Sequence, residues 1–404
     1  MAKKKKLNTP LKILYSLGSL LIGFVLTFIL TCYLTLPASY DIPAKVTKAT
    51  TVNTSGDINV EHISNDDLSI HFIELGNKYT GDCTFIKSGN TEMLIDSGSR
   101  ANSVPVISEY INQYCTDGVL EYVVVTHAHQ DHYAGFAADN SIFDLYEIGT
   151  IIEFSQSNNV GKSLYNKYQS EKEQLKNRME DEGKQLNIFT ASECVDNNES
   201  VSPSTYQLDS DGDIIFRVLD QQFYHELSSD ENNHSVCIQI EQTLQNGETK
   251  NYLLTGDLEK EGEESLVQIN GPQGNNLLKE VEVFKAGHHG SKTSSNEELL
   301  AIIQPKIVCV CCCAGSSEYT SKTENQFPTQ DFVDRIAEYT DQVFVTTLCI
   351  NYKNAQFESF NGNIVISCNK EDDSVLVSCS NNTTILKNTD WFKQNRTMPL
   401  KWAS

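Results

Sequence analysis

The feature that most constrains the fold of this chain is a cluster of metal-binding side chains directly after an apolar strand. Val119–Thr126 has the composition of a buried strand, and Thr126-His-Ala-His-Gln-Asp-His132 follows it at once. Three imidazoles and one carboxylate at the end of a buried strand are costly to desolvate unless a metal ion binds them. The pattern therefore predicts a metal site built at a strand end.

The spacing within this cluster predicts how its ligands are divided. His127 and His129 alternate, as two ligands for one ion should on an extended loop, and Asp131 and His132 can turn toward a second ion. Imidazole and carboxylate ligands together suit Zn²⁺, with Mn²⁺ or Fe as alternatives. We therefore expect two divalent metal ions, with Zn²⁺ as the preferred metal.

The N-terminus predicts a membrane location. Ile13–Leu36 is apolar and uncharged, and it exceeds the roughly 20 residues that a membrane-spanning helix needs. Lys3–Lys6 precede it, so the positive-inside rule places residues 1–12 in the cytoplasm and everything after Asp41 outside the cell membrane. The alternative is a signal peptide cleaved near Pro37–Ser39, which would release a secreted protein.

The charge balance restricts the partners. The chain has 31 Lys and Arg against 54 Asp and Glu, a formal net charge of −23. The first 40 residues contain lysines and no acid, so the remainder is more acidic still. Such a body repels polyanions at long range, which excludes a basic face for binding duplex DNA.

The twelve cysteines do not form a disulfide or zinc-knuckle pattern. Four of them lie in the apolar run Ile307–Cys313, where cysteine serves as a small hydrophobic residue. We expect most of the thiols to be free.

The order of predicted elements indicates an α/β (α+β) fold. Strands occur in groups, and helices follow them, as in two packed sheets flanked by helices. The expected organisation is a cytoplasmic tail (1–12), a transmembrane anchor or uncleaved signal (13–36), a stalk (37–66), a main domain (67–350) and a small β-rich C-terminal extension (351–404).

The motif H-x-H-x-D-H resembles the signature of the metallo-β-lactamase superfamily, and the surrounding sequence is similar to its ComEC-like subgroup. The matching stretches run from Leu68 to about Thr347, which is most of the part predicted to lie outside the membrane. The stretches that carry it, in order, are Leu68-Ser-Ile-His-Phe-Ile, Met93-Leu-Ile-Asp-Ser-Gly-Ser, Asn232-Asn-His-Ser-Val, Leu254-Thr-Gly-Asp257 and Phe284-Lys-Ala-Gly-His-His-Gly-Ser-Lys292. This resemblance implies an αββα sandwich preceded by one transmembrane helix.

The resemblance also implies roles for individual residues. Asp257 would bridge the two metals, and Asp96 would support the ligands through hydrogen bonds. His289 would complete the shell of the second ion, while His288 would protonate a leaving group; the reverse assignment stays open. The implied metal ligands are His127, His129, Asp131, His132, Asp257 and His289; the implied catalytic residues are Asp131, His288 and Lys292; the implied substrate contacts are Lys285, Ser291 and Asn232.

Three positions depart from the subgroup. His234 lies 23 residues before Asp257 and is a candidate metal ligand, a site-lining residue or a loop histidine. The Gly76–Gly81 loop is longer than the subgroup's G-x-G-D turn, so no contact is assigned to Asp82. The stretch Gln326-Phe327-Pro328 lacks a histidine that the subgroup often has on the substrate side.

These residues predict a membrane-anchored, extracytoplasmic, metal-dependent hydrolase. Two metals bridged by Asp257 and a hydroxide would activate water and offset charge on phosphoryl oxygens. A phosphodiesterase is therefore the preferred interpretation, acting on nucleic acid or on a cell-envelope polymer. The alternatives are a lactam or lactone hydrolase and a non-catalytic, metal-bound domain for surface binding or sensing.

Overall fold

The computed structural model describes residues 67–196, 202–203, 205–371 and 374–403, together with the backbone of two strands at 48–52 and 58–59. The predicted cytoplasmic tail and membrane anchor, and most of the stalk, lie outside these residues. Within the described part of the chain, no helix has both the length and the hydropathy needed to cross a bilayer.

The strands form two sheets. Their bounds are β1 Lys48–Val52, β2 Ile58–Asn59, β3 Leu68–Phe72, β4 Thr84–Ser88, β5 Thr91–Ile95, β6 Val119–Val125, β7 Glu147–Glu153, β8 Asn187–Thr190, β9 Tyr206–Gln207, β10 Ile214–Leu219, β11 Cys237–Thr243, β12 Thr249–Leu254, β13 Val283–Lys285, β14 Ile307–Ala314, β15 Val343–Asn351, β16 Gln356–Ser359, β17 Ile364–Cys368 and β18 Val375–Cys379. The order is β2-β1-β18-β17-β3-β4-β5-β6-β7-β8 in the first sheet and β16-β15-β14-β13-β12-β11-β10-β9 in the second.

Helices connect and cover the strands. The α-helices are α1 Ser103–Ile111, α2 Gln130–Tyr133, α3 Ile142–Leu145, α4 Ser163–Asp181, α5 Ala191–Val195, α6 Lys260–Asn270, α7 Glu297–Ile303, α8 Gln330–Ile336 and α9 Asp390–Asn395. Short 3₁₀ helices lie at Gln222–Tyr224, Glu231–His234, Gly287–Gly290, Thr323–Asn325, Leu386–Asn388 and Leu400–Trp402.

Two hydrophobic clusters order these elements into layers. The larger cluster joins the inner faces of both sheets and continues to α1 and α4 through Ile107, Tyr110 and Tyr168. The smaller one packs the outer face of the second sheet against α6, α7 and α8 through Leu266, Leu300 and others. The predicted mixed α/β class with two packed sheets is confirmed.

The parallel strands explain the apolar runs in the sequence. Strands β5 to β8 pair in parallel, as do β12 to β15, and parallel strands are usually covered on both faces. All eight residues of β14, including its four cysteines, are accordingly buried. The eleven cysteines in the described part of the chain are all free, as predicted for them.

The C-terminal segment differs from the prediction of a separate β-rich extension. Strand β16 pairs with β15 of the second sheet, whereas β17 pairs with β3 of the first sheet and β18 pairs with β17. An unpaired edge at β3 would leave backbone donors and acceptors open, and β17 satisfies them. Residues 356–379 therefore complete both main sheets.

The carboxyl ends of the central strands meet at one edge of the molecule. Asp96 follows β5, the histidine motif follows β6, Asp257 lies shortly after β12, and the paired histidines follow β13. The amide of Val236 donates to the carbonyl of Thr126 at 2.9 Å, which joins the two sheets at this edge. Side chains from distant parts of the sequence thus converge there.

Candidate metal centre

Four buried side chains bring their ligand atoms together at this edge. One atom each from Asp82, His132, Asp257 and His289 lies within 4.8 Å of the others. The Nε2 atoms of His132 and His289 lie 3.0 and 3.2 Å from Oδ2 of Asp257. Two ligands of a tetrahedral zinc ion are roughly 3.3 Å apart when the bonds are about 2.0–2.1 Å long. The spacing therefore fits a metal ion bound between these three side chains.

Three polar atoms of this group lack a hydrogen-bond partner within the described part of the protein. Nε2 of His132, Nε2 of His289 and Oδ1 of Asp257 are buried and form no hydrogen bond with the residues that the structure describes. A buried polar atom without a partner costs about 1–3 kcal/mol. Three such atoms in one place are explained if they bind a cation.

Asp96 fixes the orientation of His132. Its Oδ2 lies 2.6 Å from Nδ1 of His132, and it also accepts hydrogen bonds from the amide and hydroxyl of Thr126, at 2.9 and 2.7 Å. A proton on Nδ1 leaves the lone pair of Nε2 directed at Asp257, as a metal ligand requires. These contacts support the predicted role of Asp96.

The two adjacent histidines occupy different environments. His289 is buried, its Nδ1 donates to the carbonyl of Cys311 at 2.8 Å, and its Nε2 lies within the ligand group. His288 is half-buried, with Nδ1 2.9 Å from Oε1 of Glu259 and Nε2 3.9 Å from Oδ2 of Asp257. The geometry favours His289 as the ligand and leaves His288 free beside the site.

His127 and His129 form a second pair next to this group. Nε2 of His127 lies 3.1 Å from Nδ1 of His129, and the His127 ring is 4.2 Å from the His132 ring. Burial and the neighbouring His132 and His129 hold the pKa of His127 well below its usual value, so its imidazole is neutral. The structure brings the pair together, although outside the group that contains Asp257.

The electrostatics of the site favour a positive charge. Burial alone would raise the pKa of Asp257 and lower those of His132 and His289. The opposite happens, because carboxylates and imidazoles face each other at short range: the Asp257 pKa falls and both histidine pKa values rise. The pKa of Asp131 is also lowered, by His289 and His132 against the effect of burial. The carboxylates are thus ionised and surrounded by groups that balance their negative charge, an environment that also suits a divalent cation.

Lys285 differs from its predicted role as a substrate contact. Its Nζ is buried, pairs with the carboxylate of Asp82, and donates to the carbonyls of Gly256 and Ala286 at 3.1 and 3.2 Å. All three of its N–H donors are therefore used within the protein. A lysine in this position balances charge beneath the ligands instead of reaching substrate.

Asp82, for which the length of the Gly76–Gly81 loop left no predicted contact, belongs to the ligand group. Its Oδ1 lies 3.2 Å from Nδ1 of His289, and its backbone amide donates to the carbonyl of Asp131 at 3.0 Å. A side chain at Gly81 would place Cβ 2.7 Å from that carbonyl, so only glycine allows this approach. The tripeptide Thr-Gly-Asp occurs both at 80–82 and at 255–257, and this repetition could have identified Asp82.

Three other predicted substrate or catalytic residues lie around the site. Oδ1 of Asn232 is 2.8 Å from Nδ1 of His129, and its Nδ2 donates to Glu259 at 3.3 Å. The hydroxyl of Ser291 lies 2.8 Å from the Thr293 hydroxyl and forms a hydrogen bond with it. Lys292 is exposed, with Nζ 3.3 Å from Oδ1 of Asn325.

His234 does not join the ligand group. It is buried, and its Nδ1 lies 3.2 Å from the carbonyl of Phe223. The structure thus favours the alternative in which His234 is a structural loop residue.

Glu259 and Tyr319 are further residues that sequence reasoning missed. Glu259 accepts hydrogen bonds from His288 and from the Thr293 hydroxyl, the latter at 2.8 Å. Tyr319 donates its hydroxyl to Oδ2 of Asp131 at 2.6 Å, although about half of its surface is exposed. Glu259 stands two residues after Asp257, which is a usable sequence signal, whereas nothing in the sequence around Tyr319 connects it to Asp131.

Comparison with known proteins identifies the motif-bearing region. Residues 76–144 match the model of the metallo-beta-lactamase superfamily. The chain is 37% identical over 101 residues to ComE operon protein 3 of Bacillus subtilis (strain 168), which is 24% of this chain and 11% of that protein. It is 36% identical over 96 residues to competence protein ComA of Neisseria gonorrhoeae, which is 24% of this chain and 12% of that protein. The chain therefore matches only a small part of these two curated relatives.

Solved structures show distant similarity. A mutant of CmlA beta-hydroxylase has 12% identity and a TM-score of 0.34, over 63% of this chain and 47% of that one. Metallo-beta-lactamase SMB-1 bound to 2-mercaptoethanesulfonate has 11% identity and a TM-score of 0.33, over 62% of this chain and 82% of that one. The match to the metallo-beta-lactamase superfamily model thus covers residues 76–144, and about a quarter of this chain is similar to one region of two competence proteins.

Proposed function

We propose that the chain is a divalent-metal hydrolase that cleaves phosphodiesters. The observation that carries the proposal is the buried group of Asp257, His132 and His289. The Nε2 atoms of the two histidines lie 3.0 and 3.2 Å from Oδ2 of Asp257, and neither Nε2 forms a hydrogen bond with the residues that the structure describes. Asp131 extends the group, because its Oδ2 lies 3.5 Å from Nε2 of His289. His127 and His129 would hold a second ion beside it. We propose zinc as the metal on the basis of these ligand types.

Metal ions bound there would lower the pKa of a water molecule and offset negative charge on phosphoryl oxygens. The chain's own residues then set the geometry. Asp96 and the Cys311 carbonyl hold Nδ1 of the two ligand imidazoles, so that Nε2 of each faces Asp257. The Tyr319 hydroxyl occupies one oxygen of Asp131 and limits how that carboxylate can rotate.

His288 is suited to serve the leaving group. Its Nδ1 is held by Glu259, and its Nε2 points to the edge of the ligand group, 3.9 Å from Asp257. A half-buried imidazole at this distance can give a proton to a departing oxygen without binding the metal. Glu259 accepts the hydrogen bond from Nδ1 and would stabilise the imidazolium form, in which Nε2 carries the proton that passes to the departing oxygen.

Phosphodiesters are preferred because two metals can bind both non-bridging oxygens of the phosphate. The acidic body contributes no basic surface for a long polyanion, so recognition would be local and would depend on the metals and on exposed cations such as Lys292. Both single-stranded nucleic acid and a phosphodiester-linked cell-envelope polymer meet this description. The apolar N-terminal segment supports the further proposal that the enzyme is anchored in the cell membrane with this domain outside.

The test is turnover of three substrates by the purified full-length chain with added Zn²⁺ or Mn²⁺. The substrates are bis-p-nitrophenyl phosphate, a single-stranded oligonucleotide and a chromogenic lactam. We expect phosphodiester cleavage that Asp257→Asn abolishes and that Asp211→Asn, a change in an exposed acidic loop, leaves intact. Cleavage of the lactam alone, or no turnover by a fully metal-loaded chain, would contradict the proposal.

A further inference from the structure

A polar cavity lies apart from the metal ligands, between the end of β15, the strand β16 and the start of α9. Its volume is about 370 Å³, near the lower end of the range of roughly 300–1,000 Å³ that is common for small-molecule sites. One wall is the indole of Trp391, supported by Phe360, whose ring centroid is 6.3 Å away at an interplanar angle of 85°. The other walls are mainly asparagine and hydroxyl side chains.

The inner asparagines form a rigid frame. Asn361 donates to the carbonyls of Asn382 and Thr384, both at 3.0 Å, and accepts from the amide of Val345 at 2.7 Å. Asn382 in turn donates to the carbonyl of Phe360 at 2.7 Å. The amides that shape the cavity are thus fixed before any ligand binds, which lowers the entropic cost of binding.

The rim carries polar groups that the protein does not use. In the described part of the chain, the amide of Asn388, the hydroxyl of Thr384 and the carboxylate of Glu358 have no side-chain hydrogen bond. Together they offer donors and acceptors around an aromatic wall. Such a combination suits a ligand with several hydroxyl groups and one apolar face.

The charges of the cavity exclude other ligand classes. None of the described residues that line it is Lys or Arg, whereas Glu358 and Asp390 are acidic, so a phosphate would be repelled. A cation is disfavoured at the indole, because it would be repelled by the guanidinium of Arg396, which already lies 4.8 Å from the Trp391 ring centroid. The cavity therefore favours a neutral ligand.

We propose that this cavity binds a neutral carbohydrate of about one or two sugar rings, with one ring face packed on Trp391. A short segment, residues 315–319, contacts the cavity at one end and the metal centre at the other. Trp391 packs on Gly315, where an added Cβ would lie 2.6 Å from Nε1, and four residues later Tyr319 donates its hydroxyl to Asp131. A glycan held at the cavity would therefore be bound next to the segment that reaches the metal ligands.

Tryptophan fluorescence of the full-length chain tests this proposal. The chain has two tryptophans, and Trp402 is buried with 5% exposure, so a ligand at the cavity should change mainly the emission of Trp391. The probes are cellobiose, maltose and N,N′-diacetylchitobiose, with inorganic phosphate and choline as ligands of the excluded classes. We expect saturable binding of at least one disaccharide and no response to phosphate or choline.

Variants locate the binding. Asn388→Ala should weaken saccharide binding by about two- to tenfold, since it removes a hydrogen bond from an exposed rim. Trp391→Ala should weaken saccharide binding by about tenfold or more. Because this variant lacks the fluorescent reporter, its binding is measured by saturation-transfer NMR. Asn354→Ala, an exposed asparagine outside the lining, is the matched control and should bind as the wild type does.

Three results would overturn the proposal: no binding of any of the three saccharides, binding of phosphate or choline instead, or saccharide binding that survives both cavity variants. Metal content and hydrolysis of bis-p-nitrophenyl phosphate are measured on the same variants. Neither Asn388 nor Trp391 contacts the metal ligands, so both variants should keep the metal content and the hydrolysis rate of the wild type. A failure of the carbohydrate proposal can therefore be distinguished from a failure of the proposed hydrolase function.

Discussion

Replacing Asp96 by Asn should weaken metal binding without removing any metal ligand. Oδ2 of Asp96 accepts from Nδ1 of His132 at 2.6 Å and from the Thr126 hydroxyl at 2.7 Å, while Oδ1 accepts from the Thr126 amide at 2.9 Å. Asparagine can keep the bond to the amide, but it then presents an NH₂ group to His132. The imidazole would have to move its proton to Nε2, the atom that faces Asp257.

The expected loss follows from similar changes to residues that orient metal ligands. Such substitutions usually cost about 10–100-fold in metal affinity, which corresponds to about 1.4–2.7 kcal/mol. The assay is a competition titration of Zn²⁺ between the full-length chain and a chromogenic chelator. Asp117→Asn is the control, because Asp117 also accepts a backbone amide, that of Val119 at 3.1 Å, in an exposed turn.

Two results would refute this reasoning. One is an Asp96→Asn chain that folds normally and binds Zn²⁺ within about twofold of the wild type. The other is an equal loss of affinity in Asp117→Asn. Either result would mean that the tautomer of His132 does not control binding.

Three further predictions concern catalysis and stability. His289→Ala should lose metal together with activity, whereas His288→Ala should retain metal and lose about 10²–10⁴ in rate. The loss in His288→Ala should be smaller on p-nitrophenyl substrates, whose leaving groups need little protonation. Reversed metal contents in the two variants would show that the two roles are exchanged. Burial raises the pKa of Glu74 to about 7, despite hydrogen bonds that lower it, so the native state keeps a proton that the unfolded chain releases near 4.5. The unfolding free energy should therefore fall on the order of 3 kcal/mol between pH 4.5 and 7 in urea titrations, and a Glu74→Gln chain with the same pH slope would contradict this. Phe216→Ala should cost about 3–5 kcal/mol in the same assay, because its ring is fully buried and stacks on Tyr206 at 4.8 Å, and a loss below about 1 kcal/mol would contradict the described packing.

Much of the fold was predictable from the sequence, because the pattern of apolar residues and the order of the strands determine the fold class. The apolar run before the histidine motif predicted β6, and the grouping of strands with helices after them predicted two packed sheets. The C-terminal strands were harder, since pairing across nearly 300 residues, as between β3 and β17, leaves no local trace in the sequence. Alternation shows that a strand has an inner face, but it does not show which sheet the strand joins.

For the site, too, residues in motifs were predictable, whereas residues placed by tertiary contacts were not. The histidine motif pointed to His132, and the family resemblance implied Asp257 and His289; the structure brings these three together. The environment of Lys285 could not be read from its neighbours, because the burial of its ammonium depends on Asp82, some 200 residues earlier in the chain. Tyr319 likewise reaches Asp131 only through tertiary structure.

The metal content of the purified chain tests the central claim most directly. Full-length wild type, Asp257→Asn and Asp211→Asn are loaded with Zn²⁺, dialysed and analysed for bound metal; Asp211 belongs to an exposed acidic loop whose charge Lys370 partly balances. The account predicts about two ions per chain in the wild type and in Asp211→Asn, and a clear loss in Asp257→Asn. A wild-type chain with less than about half an ion, or metal that is lost in Asp211→Asn and kept in Asp257→Asn, would contradict it.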